Sequence, residues 1–96
     1  MEKHKVSPRT HLYEQENGWY LVVALPGIEQ DTISLVTEGQ FLYLRAEGDQ
    51  NVYSRSFEFP PSVEWGEIKA KYKAGILQVS LEKAQAKRQQ ISIQSA

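Results

Sequence analysis

The chain has 96 residues, enough for one small domain. It contains no cysteine, which excludes a disulfide framework and a thiolate metal site and leaves a cytoplasmic location as the compatible expectation. A net charge of −1, with lysines interleaved among carboxylates, leaves no footprint for nucleic acid or an acidic membrane, and no apolar run approaches the roughly 20 residues that span a bilayer.

Residues 1 to 10 are polar apart from Met1, Val6 and Pro8 and read as a short mobile N-terminal arm; Met1-Glu2-Lys3-His4-Lys5 has no apolar core behind it, so it is not expected to be a secretory signal. Residues 10 to 16 predict a weak edge strand, and Asn17-Gly18 predicts a hairpin turn after it. Trp19, Leu21, Val23 and Leu25 then share one parity, with Tyr20, Val22 and Ala24 on the other. That strand is apolar on both faces, so Tyr20 and Val22 are either a subunit interface or strand-forming residues tolerated singly.

Pro26-Gly27 closes this strand, and Glu29-Gln30-Asp31 reads as a polar loop. Ile33, Leu35 and Thr37 alternate with Ser34 and Val36 in the next strand. Phe41 to Leu44 predicts another, with Leu42 and Leu44 inward, ending in a polar hairpin tip over residues 47 to 51. Tyr53, Phe57 and Phe59 share a parity that also includes Arg55, a charge on an otherwise apolar face. Pro60-Pro61 stops that strand because neither residue donates a backbone hydrogen bond.

Ile68, Ala70 and Tyr72 alternate with Lys69, Lys71 and Lys73, the period of two that marks a half-buried strand with a solvated lysine face. Ala74-Gly75 breaks the pattern, and Leu77, Val79 and Leu81 resume it, so the stretch is a hairpin with one apolar face. The tail over 84–96 is polar; Ala84 to Arg88 admits a helical turn, and Ile91-Ser92-Ile93 sets two β-branched residues on one face of an extended segment. The sum is an all-β fold, a seven- to eight-stranded antiparallel sandwich of immunoglobulin-like form, with the sandwich domain over 11–83.

Five stretches, in order, resemble the small heat-shock protein family, the α-crystallin domain. Trp19 through Leu25-Pro26-Gly27-Ile28 is similar to its strand ending in Leu-Pro-Gly, and Leu42-Tyr43-Leu44-Arg45-Ala46-Glu47 to its Leu-x-Ile strand. Tyr53-x-Arg55-x-Phe57-x-Phe59-Pro60 resembles the aromatic-x-Arg-x-aromatic-x-Leu-Pro stretch. Ala70, four residues, then Gly75-Ile76-Leu77 resembles the family signature, and Ile91-Ser92-Ile93 its C-terminal Ile-x-Ile tag. The loop from Glu47 to Val52 departs from most bacterial, archaeal and plant members: it is too short for the extra strand that swaps into a partner there. The N-terminal arm is shorter than usual, Glu82 stands where Pro is customary, and Ala74 where Asn is.

The resemblance implies an ATP-independent holdase chaperone that binds exposed apolar segments of unfolding proteins and assembles as a homo-dimer or larger oligomer. A groove for a tag or client is expected between the strands of Ile33 and Leu35 and of Ile68, Ala70 and Tyr72, with Ile91 and Ile93 of a neighbour as the knobs. The same parity would also let Ile91 and Ile93 pair with the chain's own sheet. By resemblance Arg55 lies near the subunit interface and pairs with a carboxylate; alternatively its stem simply covers the sheet. No cofactor, metal, nucleic acid or membrane partner is expected: there is no phosphate-loop motif, His4 and His11 stand at no ligand spacing, and no nucleophile motif marks an enzyme. The runner-up is a CS-domain-like co-chaperone adaptor, which shares the sandwich but lacks both the Ile-x-Ile tag and the Ala to Gly-Ile-Leu spacing.

Overall fold

The alternating stretches form strands in the computed structural model, which describes residues 3–84 and 91–95. In chain order these are β1 (His4–Val6), β2 (Thr10–Gln15), β3 (Gly18–Ala24), β4 (Ser34–Glu38), β5 (Phe41–Glu47), β6 (Asn51–Glu58), β7 (Trp65–Lys73) and β8 (Ile76–Lys83), with a 3-10 turn, Gln30–Thr32, before β4. They make two four-stranded sheets, one in the order β1-β6-β5-β4 and the other β2-β3-β8-β7.

Parity decides what each strand buries. In β3 Trp19, Leu21 and Val23 point inward, opposite Leu81, Val79 and Leu77 of β8. From the other sheet Leu42, Leu44 and Ala46 of β5, Tyr53 and Phe57 of β6, and the adjoining Phe59 meet them. Two sheets with one apolar parity each must cover one another, so the sandwich follows from the alternation. No polar or charged side chain is buried among the described residues. At one end Trp19, Phe59 and Trp65 pack edge to face, with ring centroids 4.8–5.6 Å apart.

Four features refine the expectations. His4–Val6, within the stretch read as a mobile arm, forms a strand running parallel to β6, with Lys5 opposite Val52; the other strand pairs are antiparallel. The loop at Gln30 is one turn of 3-10 helix, in which the Thr32 hydroxyl also donates to the Glu29 carbonyl at 2.6 Å. Ile33 follows that turn instead of opening the strand, while Leu35 keeps its inward place opposite Leu44. β7 carries a bulge between Trp65 and Ile68, where three steps of β7 match two of β8. The bulge re-aims Trp65 to the inward side. It falls at Gly66, where a Cβ would sit 3.0 Å from the Lys83 carbonyl oxygen. The helical turn expected over residues 84–88 lies outside the described residues from 85 on.

Candidate functional site

β4 and β7 are the outer strands of their sheets on the same side of the sandwich. Neither is hydrogen-bonded to the other, so among the described residues two free strand edges run along a shared rim. Such edges are sites for strand addition unless something covers them. Ile33 and Leu35 from one strand, and Ile68 and Tyr72 from the other, are half-buried and pack against the core from this rim. The structure therefore brings together four of the five residues expected in the groove at half-burial. The fifth, Ala70, also takes the inward parity, opposite the fully buried Val79, yet it is exposed. A methyl group between Ile68 and Tyr72 is too short to reach across, and the rim is notched there.

The seam is uncharged. Lys69, Lys71 and Lys73 leave β7 on the opposite, solvated face, and only Lys69 has an ion-pair partner among the described residues, Glu67 at 3.6 Å. Two hydrogen bonds fix ring side chains near the ends of β7, one of them between the sheets and the other within a single sheet. At one end the Trp65 indole N–H donates to the Gly39 carbonyl in the β4–β5 turn, at 3.0 Å. At the other the Tyr72 hydroxyl donates to the Leu25 carbonyl at the end of β3, at 2.7 Å. Sequence reasoning placed Tyr72 on the lining but missed Trp65; the signal was Gly66, a glycine inside a strand pattern and hence a bulge. A hollow of about 240 Å³ at the Trp19 end, lined by Pro60, Val63 and Lys83, is separate from the seam.

Residues 91–95 of the tail stand apart from the sheets. They form no strand, and Ile91 and Ile93 are 79% and 93% exposed, so the alternative of a last strand in the chain's own sheet is not realised.

The opposite rim is built differently. The chain crosses between the sheets there, from β1 through the buried Pro8 to β2. Arg55, on the inward parity of β6, donates to the Pro8 carbonyl at 3.4 Å and to the Thr10 hydroxyl, and its guanidinium stands 5.0 Å from the centre of the Phe57 ring. Its partners among the described residues are neutral oxygens of its own chain; the expected carboxylate is not among them. Tyr20 and Val22 are half-buried on the outer face of β3, with Tyr20 opposite Tyr13 and the two rings 6.4 Å apart. Nearby on the other sheet, Lys3 at 3.4 Å and Arg45 at 2.7 Å hold the Glu47 carboxyl below the usual carboxylate range. Among the described residues no cluster of His, Asp or Glu could hold a metal, and no helix is long and apolar enough to cross a membrane.

The sequence model of the Hsp20/alpha crystallin family matches residues 11–95. The chain belongs to that family. Small heat shock protein C4 of Rickettsia felis is 30% identical over 105 residues, covering 92% of this chain; the chain spans 64% of that relative's length. A probable 15 kDa heat shock protein of Leptospira interrogans is 28% identical over 104 residues, covering 94% of this chain and 80% of its own. The same fold occurs in a small heat-shock protein from Xylella fastidiosa, with a TM-score of 0.73 at 21% identity over 94% of this chain and 98% of that one. It occurs also in heat shock protein 16.0 from Schizosaccharomyces pombe, with a TM-score of 0.70 at 22% identity over 93% and 99%. The small heat-shock fold thus holds for this chain although its β5–β6 connection is a tight hairpin, closed by the Gly48 N–H donating to the Asn51 carbonyl at 2.9 Å, with no strand between.

Proposed function

We propose that this small heat-shock protein is an ATP-independent holdase, which binds exposed apolar segments of unfolding proteins and assembles by seating Ile91 and Ile93 in the β4–β7 seam of a neighbouring copy. The single observation that carries this is the pairing of a half-buried apolar rim with a tag that leaves its two isoleucines in solvent. Burying both isoleucines stabilises a contact by about 3–6 kcal/mol gross. Ordering the tail and losing translational freedom offset much of that. One seated tag is therefore a weak bond, and several acting together hold an assembly by avidity. A contact of that strength opens readily, and an open seam with free strand edges receives a client segment by the same means.

The reading assigns no role to nucleotide, metal or any reacting group, and a cytoplasmic setting suits a cysteine-free chain. A family match that extends over the tail supports the chaperone reading above an adaptor role. The test is light scattering of a heat-denatured client with rising amounts of this protein and no ATP. Suppressed aggregation is expected; unchanged aggregation at several-fold excess would refute the holdase. In parallel, size-exclusion chromatography with light scattering should show an oligomer that dissociates when Ile91→Ala and Ile93→Ala are combined.

A further inference from the structure

The outer face of the β1-β6-β5-β4 sheet, away from the seam, carries its charges in a fixed order. The register sets its outward side chains in rows across the strands. The first row is Glu38, Phe41 and Glu58, and the second is Val36, Tyr43 and Ser56. Ser34, Arg45 and Ser54 follow, and the last row is Glu47, Val52 and Lys5. One end of the face is therefore acidic. At the other end Lys3, Lys5 and Arg45 outnumber Glu47, which Lys3 and Arg45 hold. Between the two ends Val36 is 52% exposed and Tyr43 42%.

A hollow lies beside this apolar pair. Arg45 leans to the Glu47 carboxylate at 2.7 Å, and the short side chains of Ser34, Ser54 and Ser56 do not fill the space it leaves. The depression measures about 420 Å³, well above the ~150 Å³ cavity that takes a benzene ring. Knob and hollow thus stand in neighbouring rows of one surface. A second copy, turned half a revolution about an axis across the strands, presents its rows in reverse order. Its Tyr43 then falls on the Arg45 row and enters the hollow, and its acidic row covers the basic row. A two-fold contact makes each of these pairings twice. The other face-to-face two-fold, about an axis along the strands, would set Glu38 against Glu58, and like charges oppose it.

We infer that the outer face of this sheet binds a second copy of the chain, face to face about a two-fold axis across the strands, with Tyr43 as the knob and the acidic row of each copy on the basic row of the other. Glu58 of one copy falls over Val52 of the other, beside Lys5. The contact uses neither the tag nor the seam and so goes beyond the assembly proposed above. Four strands at ~4.8 Å spacing, with rows spanning ~20 Å, give a face of roughly 400 Å² in projection. That is small for a permanent interface, so the dimer exchanges with monomer. Added salt weakens it, because its orientation rests on exposed charges.

The test uses the full chain carrying Ile91→Ala and Ile93→Ala, which removes assembly through the tag, and reads its mass by sedimentation equilibrium over a wide concentration range. A monomer–dimer equilibrium is expected. On this background either Glu58→Lys or Lys5→Glu sets like charges together at both symmetric contacts and should weaken self-association at least about tenfold. Mixed in equal parts, the two variants should recover the dimer, because the introduced lysine then faces the introduced glutamate while the native Glu58 and Lys5 face each other. Tyr43→Ser removes the knob and should leave monomer. Each variant is first shown by its unfolding transition to be folded. A parent that is monomeric at every concentration, or charge variants that dimerise as well as the parent, would overturn the face and leave the tag assembly standing. Charge variants that dissociate and fail to recover on mixing would overturn the two-fold arrangement. A Tyr43→Ser chain that still dimerises but no longer protects a client would make the face a client surface instead, and overturn the proposal.

Discussion

The two long rims of the sandwich solve one problem in opposite ways. At the β1–β2 rim the chain itself crosses from sheet to sheet, and the exposed Arg55 fastens the crossing by holding Pro8 and Thr10. At the β4–β7 rim no described segment crosses along the seam; the Trp65 hydrogen bond to Gly39 joins the sheets at one end, and Ala70 is exposed in the middle. Both rims hold an inward leucine on an edge strand, yet Leu12 of β2 is 44% exposed while Leu35 of β4 is half-buried against the core. A sandwich needs its sheets held together, but neither rim is sealed along its length: the crossing leaves Leu12 exposed, and the β4–β7 seam leaves Ala70 exposed.

Exchanging the two leucines for alanine should give the widest contrast. Leu35→Ala removes contacts with the core and should cost about 1–2.5 kcal/mol, with Leu12→Ala well below it, as read from urea denaturation. Equal losses would mean that the two rims are packed alike. Arg55→Ala comes next, at about 1–2 kcal/mol, since it leaves the Pro8 carbonyl and Thr10 hydroxyl without their donor and removes the cation from Phe57. Its signature is local: amide exchange should quicken in His4–Val6 and Thr10–Gln15 before it does in β7. Trp65→Phe keeps an aromatic ring in the end cluster and deletes the donor to Gly39, so a loss of about 0.5–1.5 kcal/mol is expected, with faster exchange at the β4–β5 turn.

The smallest effect is at Glu47. Its folded-state pKa is held down by Lys3 and Arg45, so its contribution is present above the unfolded carboxylate's pKa and is lost as pH falls through the lower, folded one. Exchange protection of β1 should therefore decline over that acid range, and Glu47→Gln should flatten the decline. A pH response that survives Glu47→Gln would locate the tether of β1 elsewhere.

Much of the open rim was legible because alternation is a local signal. Ile68, Ala70 and Tyr72 announce their shared face within five residues, and Tyr53, Phe57 and Phe59 do the same with Arg55 as the visible exception. The fastened rim was harder to read. His4-Lys5-Val6 has too few residues to show a period, and its parallel pairing with Asn51-Val52-Tyr53 is a contact between distant parts of the chain. Arg55 could be seen as out of place, but nothing local to it names Pro8 and Thr10 as its acceptors. The bulge at Gly66 had a signal, and without the register against Lys83 that signal could not say which way Trp65 would turn. Ile91 and Ile93 were legible as a pair, and their exposure removes their own sheet as the partner while leaving the neighbour to be tested.

The tip of the β7–β8 hairpin has a practical consequence. Ala74 sits there at φ 50° beside Gly75 at φ 79°, a left-handed conformation that costs a residue with a Cβ about 1–2 kcal/mol. Asparagine tolerates that geometry better, and recovering about 1 kcal/mol in a domain of this size would raise the melting temperature by about 4–8 °C. An Ala74→Asn background would thus give rim variants thermal headroom, so that a lost interaction can be told apart from a lost fold.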